Sequence, residues 1–144
     1  MIGDKGPYLA TAVICEKALQ EQDGVLTLVR LIDRVIVGAT GPDVPEDMPP
    51  APLNFTVVIA LKSGAARGRH KIRLRPEDPS GHQLSTLELP VHFEGEDRGA
   101  NLIVQFGLTA EKEGLYWIDV LFGDDLMTRI PLRVVYQPQR TAQS

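Results

Sequence analysis

The sequence predicts an all-β chain folded as an antiparallel β-sandwich of about eight strands. Three observations predict it. Apolar and polar residues alternate at period two along nearly the whole chain, as in strands that bury one face. The alternating runs are short and are punctuated by Gly, Pro and Asp turns. The 3.6-residue apolar period of an amphipathic helix is hard to find.

Leu9 to Lys17 reads as the first strand and buries Val13 and Cys15. Asp23-Gly24 follows as a turn whose positive-φ position is filled by Gly. Val25 to Val37 reads as one long strand with both faces mixed, because Leu26, Leu28, Ile32 and Ile36 share a face with Arg30 and Arg34. A bulge that shifts register partway is expected there. Gly38 to Pro52 breaks the pattern. Pro42, Pro45, Pro49, Pro50 and Pro52, with Asp43, Glu46 and Asp47, predict a semi-rigid, solvent-exposed loop crossing between sheets.

Leu53 to Leu61 is the clearest strand, with Leu53, Phe55, Val57, Ile59 and Leu61 on one face. Gly64 to Arg69 reads as a flexible hairpin loop; without a following Lys-Ser/Thr and helix it is no phosphate-binding loop. Ile72 and Leu74 alternate with Lys71, Arg73 and Arg75, and Pro79-Ser80-Gly81 is a turn. Leu87 to Phe93 and Leu102 to Phe106 are further strands. Tyr116, Ile118, Val120 and Phe122 alternate with Trp117 and Asp119. Gly123-Asp124-Asp125 reads as a tight hairpin into the last strand, Ile130 to Val134. Pro90 and Pro131 cannot donate ladder hydrogen bonds and belong on edges or at bulges.

These elements make residues 8–137 a single domain, with 38–52 as its Pro-rich crossover and 138–144 as a flexible C-terminal tail. The long crossover favours a Greek-key, immunoglobulin-like sandwich over an up-and-down barrel.

Composition narrows the function. A net charge of -4 with mixed signs disfavours general nucleic-acid binding, which draws most of its energy from neutralising phosphates. The single cysteine forms no internal disulfide, and no apolar run approaches the roughly 20 residues of a membrane helix. The stretch from Tyr8 to Cys15 alternates and runs straight into Glu16-Lys17, unlike a signal peptide. A cytoplasmic protein is expected.

Three stretches carry a family resemblance. They are Leu9–Glu16 with Asp23-Gly24 and Leu28–Asp33, then His70–Arg75 with Asp78–Gly81, then Gly114–Val120 with Asp124–Leu126 and Ile130–Val134. Together they resemble small bacterial proteins grouped only as a domain of unknown function. The resemblance implies a cytosolic β-sandwich, assigns no activity and transfers no functional residue.

No catalytic apparatus is legible. Cys15 on an apolar strand face reads as an inert core thiol, and there is no G-x-S-x-G elbow. His70, His82 and His92 lie at no metal-ligand spacing. Asp33, Asp43, Asp47, Asp78, Asp97, Asp124 and Asp125 are the carboxylates that could converge on calcium at one end of a sandwich, but turns favour Asp anyway. No enzyme activity, cofactor or metal is therefore assigned.

Two outward-facing features remain as candidate partner-binding residues. Trp117 points away from the apolar face of its strand, and an exposed Trp is a natural interface anchor; the plain alternative is that a loop or the chain tail covers it. Lys71, Arg73 and Arg75 form a basic row, with Arg129 and Arg133 as neighbours, that suits an acidic partner or an ordinary solvated face. The reading is a non-enzymatic protein-interaction or accessory domain with an unidentified protein partner. An edge strand also offers a route to a homo-oligomer. The alternative is a loop-end module for calcium, a glycan or an anionic lipid headgroup.

Overall fold

The computed structural model describes residues 6–96 and 98–140. Nine strands run through them: β1 (Tyr8–Gln20), β2 (Leu26–Leu31), β3 (Arg34–Gly41), β4 (Ala51–Lys62), β5 (Gly68–Glu77), β6 (Leu87–Phe93), β7 (Gly99–Ala110), β8 (Gly114–Phe122) and β9 (Asp125–Arg140). They form a four-stranded sheet in the order β2-β1-β4-β7 and a five-stranded sheet in the order β3-β9-β8-β5-β6. The chain is thus an all-β, two-sheet sandwich. Every pairing is antiparallel except β3 with β9, which run parallel from Arg34↔Arg133 to Gly41↔Arg140.

The extra strand comes from Val25–Val37, which is not one bulged strand. β2 ends at Leu31 and β3 starts at Arg34, in the other sheet. The intervening step is hydrogen-bonded on both sides: Ile32 N donates to Ile14 O (2.8 Å), and Arg133 N donates to Asp33 O (2.9 Å). Residues that looked like one mixed face belong to two sheets. A bulge does occur, but in β1, where the register shifts between Leu9 and Thr11. It moves Val13 and Cys15 off the face that Leu9 occupies. Ile14 packs in the inter-sheet core, while Cys15 is buried on the opposite face, beside Thr56 and Val58 of β4. Cys15 is therefore buried as expected, but that one inserted residue puts it on the outer side of the four-stranded sheet, and Val13 beside it is only partly buried.

The core fills the space between the sheets. Phe55 stacks on Phe106 at a centroid distance of 5.5 Å, opposite Ile72, Leu74, Ile118 and Leu132. Burying each such aliphatic side chain contributes about 1.5–3 kcal/mol. The Pro-rich connection, Pro42 to Pro50, does cross from the five-stranded to the four-stranded sheet. It is not wholly exposed, because Val44 and Met48 drop into the core at 7% exposure each. The Tyr136 hydroxyl donates to Pro45 O (2.7 Å) and pins the loop from beneath.

Gly64 to Arg69 belongs to an arch between sheets and not to a hairpin, since β4 and β5 lie in different sheets. Pro90 falls on the edge strand β6. Pro131 lies two residues before β3 begins to pair at Arg133, where β9 is still locally an edge. Residues 138–140 are strand and not tail, because β3 pairs β9 as far as Arg140; residues 141–144 lie outside the described residues.

Candidate functional site

The pleat of the five-stranded sheet sends alternate side chains to its solvent face. On β5 these are Arg69, Lys71, Arg73, Arg75 and Glu77, because Ile72 and Leu74 point inward. The registers Arg75↔Asp119, Glu77↔Trp117 and Asp119↔Arg129 place Trp117 and Asp119 of β8 and Arg129 of β9 on that same face. Arg133 follows on β9, and Arg34 of β3 pairs with it directly. Nearly half of the chain's 15 Lys and Arg residues therefore stand on one face of a chain whose net charge is -4.

At the centre of the face is a carboxylate. Asp119 is only 5% exposed although its strand shows this side to solvent. Two guanidinium groups cover it. Arg129 Nε donates to Asp119 Oδ1 (2.6 Å), and Arg75 Nη2 donates to Asp119 Oδ2 (3.2 Å). Arg129 also donates to Glu77 Oε2. The Asp119 hydrogen bond is the chief reason that the Arg129 guanidinium holds its proton more tightly than usual. The Arg129 guanidinium carbon lies 4.6 Å from the Trp117 ring centroid, a cation–π distance. Trp117 is half-buried: Arg129 lies over its ring and part of the indole stays open.

The remaining cations divide into engaged and free. Lys71 pairs with Glu88 (3.5 Å), and Arg73 donates to Gly123 O (2.7 Å) and reaches Asp124 (3.4 Å). Arg34, Arg69 and Arg133 make no ion pair among the described residues. Arg34 and Arg133 stand side by side, both exposed, with no carboxylate between them.

All the candidate residues, Trp117, Lys71, Arg73 and Arg75, therefore share one surface. Asp119, Glu77 and Arg34 were not singled out. Asp119 left a signal: it is an acid on the outward parity of an apolar strand, facing a basic one. Arg34 left none, because a single strand over Val25–Val37 could not place it beside Arg133.

A second polar cluster closes the β5–β6 connection. Asp78 Oδ1 accepts Ser80 N and His82 N, each at 2.9 Å, and Lys112 Nζ stands 3.8 Å from Asp78 Oδ2. Burial pushes the Asp78 carboxyl up, but those two N–H groups, with Lys112 and His82, outweigh it and hold the carboxyl below its ordinary value. The bonds shape the turn. His70 lies between Phe93 (5.6 Å) and Phe122 (5.2 Å) at one end of the core. Among the described residues, no three His, Cys, Asp or Glu side chains are grouped to hold a metal ion; Asp97 lies outside the described residues. No helix among the described residues is long and apolar enough to cross a membrane.

Comparison with known proteins adds a family. A model described as "Family of unknown function (DUF6941)" matches residues 10–135. No curated protein matches. Among solved structures, an immunoglobulin-like protein from Pseudomonas aeruginosa is similar at 15% identity, covering 92% of this chain and 99% of that one, with a TM-score of 0.42.

Proposed function

The chain belongs to DUF6941, a family of unknown function, and we propose that it is a non-enzymatic interaction module whose working surface is the outer face of the five-stranded sheet. The observation that carries this reading is charge segregation. A chain of net charge -4 gathers Arg34, Arg69, Lys71, Arg73, Arg75, Arg129 and Arg133 on one sheet face, against Glu77, Glu88 and Asp119 on the strands and Asp124 at the β8–β9 turn. Random solvation of two faces would spread these charges. A positive field over one face draws an acidic partner and sets its orientation.

The face is built for a protein surface more than for a polyphosphate backbone. Asp119 and Glu77 already neutralise Arg75 and Arg129 at its centre, which fixes those guanidinium groups in place. Trp117 adds a half-open aromatic surface beside them, and Trp and Arg are the side chains most often found to anchor interfaces. Arg34 and Arg133 supply the unpaired charge.

Trp117 is the only tryptophan in the chain, so its emission reports on this face. Titration with an acidic, Glu-rich peptide should shift that emission at low salt, and the shift should shrink as the Debye length falls. An Arg34→Glu/Arg133→Glu variant should lose the response. A response unaltered in the variant would contradict the reading.

A further inference from the structure

The outer face of the five-stranded sheet has two unlike halves. On the β5–β6 half the cations are engaged: Lys71 pairs with Glu88, and Arg73 bonds Gly123 O and Asp124. Arg69, the unpaired cation of that half, stands opposite His92 of the edge strand. On the β3–β9–β8 half, Arg34, Arg133 and Leu115 form one row by register. Ile36 and Val135 form the row on one side of it, and Pro131 and Trp117 the row on the other. Ile36 is 50% exposed, Pro131 is exposed, and Leu115, Trp117 and Val135 are half-buried. The two side-by-side guanidinium groups without an ion pair thus rise from an apolar strip.

We infer that this strip recognises an acidic segment that carries large aliphatic side chains next to its carboxylates. The inference rests on the reading of the face given above and names the chemistry of its partner. Like charges side by side on neighbouring strands oppose each other. A carboxylate set between Arg34 and Arg133 replaces that repulsion with charge-assisted hydrogen bonds. The apolar rows on either side gain only if the partner covers them with apolar side chains, and a purely acidic segment leaves them wet. Arg and Trp beside apolar neighbours are also the side chains that anchor protein interfaces.

The strip continues at Pro131 into a crevice of about 320 Å³, walled by Ile14, Leu31, Ile32 and Ile130. That is room for one aliphatic side chain of the partner. Asp33 is the single charged residue in the wall. It repels a carboxylate from the crevice and so leaves the partner's acid to the two arginines. The other acid close by, Glu113, is engaged, because its Oε1 accepts Tyr136 N (3.2 Å). Neither acid forms an ion pair with Arg34 or Arg133 among the described residues.

The test compares three short fluorescein-labelled peptides of equal length in anisotropy titrations of the whole protein. One alternates glutamate with leucine, one glutamate with serine, and one lysine with leucine. The inference predicts saturable binding of the Glu-Leu peptide, about tenfold tighter than the Glu-Ser peptide, as the burial of one leucine side chain implies. The Lys-Leu peptide should not bind. Ile36→Asn, at an exposed edge position, should remove most of that preference, and Arg34→Glu/Arg133→Glu should lose both acidic peptides. With a photoreactive benzoylphenylalanine in place of one leucine, the Glu-Leu peptide should cross-link within residues 31–36 or 130–135. Equal binding of the two acidic peptides, both lost in the arginine variant, would overturn the inference and leave the charged-face reading standing. No binding of either acidic peptide, or binding that survives the arginine variant, would overturn both. Cross-links confined to β5 and β6, equal binding of the Lys-Leu peptide, or a protein dimer that buries β3 and excludes the peptide would overturn the inference alone.

Discussion

Arg129 Nε donates to Asp119 Oδ1 across 2.6 Å, and the two residues stand directly opposite each other on β9 and β8. With Arg75 on the second oxygen, Asp119 joins three strands of the five-stranded sheet through one carboxylate. Asp119→Ala leaves two guanidinium groups without their acceptor. It should lower stability by about 2 kcal/mol, toward the modest end for a buried ion-pair member because both arginines keep partial access to water. Urea denaturation of the two proteins checks this, and a difference below about 0.5 kcal/mol would count against the role given to Asp119.

Trp117→Ala removes the ring under Arg129 but leaves both Asp119 hydrogen bonds. The expected stability loss is about 0.5–1 kcal/mol for the cation–π contact, plus a share of the apolar area. The fold should persist, as read by circular dichroism, while acidic-peptide binding should weaken severalfold.

Two glycines should respond unequally to alanine. Gly123 opens the two-residue β8–β9 turn at φ 59, the first-position signature of a type II′ turn, and a Cβ there meets open space. Gly123→Ala should cost about 1 kcal/mol of left-handed strain. Gly114 adopts φ 135, and its Cβ would lie 2.8 Å from Pro79 Cβ and Cγ. Gly114→Ala combines strain with a clash against a ring and should cost about 2–4 kcal/mol. Thermal melts of the pair test the ranking.

Cys15 is fully buried, and burial pushes its thiol pKa up. A thiolate is the reactive form, so native Cys15 should resist iodoacetamide at pH 8. Labelling should follow unfolding across a denaturant series. Rapid labelling of the native protein would show that the outer layer of the four-stranded sheet opens locally.

The Asp78 carboxyl lies below its ordinary value in the folded chain. A depressed carboxyl contributes stability above the unfolded pKa of about 3.9 and loses it as pH falls through the lower folded value. Asp78→Asn keeps an oxygen acceptor for Ser80 N and His82 N but cannot titrate. Its stability should therefore fall less than that of the wild type between pH 5 and pH 2. Parallel acid-induced losses in both proteins would contradict the role of Asp78.

Much of this fold was legible because alternation is a local property. β4, β8 and the core half of β9 follow directly from Leu53–Leu61, Tyr116–Phe122 and Ile130–Val134. The errors arose where a local pattern meets a non-local constraint. One inserted residue in β1 turns Val13 and Cys15 to the outer side of their sheet, where Cys15 is still fully buried, and nothing in the apolar order of that strand announces it. The Ile32-Asp33 step changes sheets without a Gly or Pro, so Val25–Val37 reads as continuous. The face itself was half legible. Lys71, Arg73 and Arg75 share a strand parity, and Trp117 shares the face by register. The pairing of Arg34 with Arg133 is set by a parallel contact between residues distant in sequence, which no local pattern encodes.

The most direct test of the proposed function is co-purification from the native host with three tagged proteins. These are the wild type, Arg34→Glu/Arg133→Glu, and a Lys17→Glu/Lys62→Glu control with the same charge change on the four-stranded sheet. An acidic protein enriched by the wild type and the control, but lost from the Arg34→Glu/Arg133→Glu variant, is the predicted result. A partner retained equally by all three would contradict the assignment of the five-stranded face.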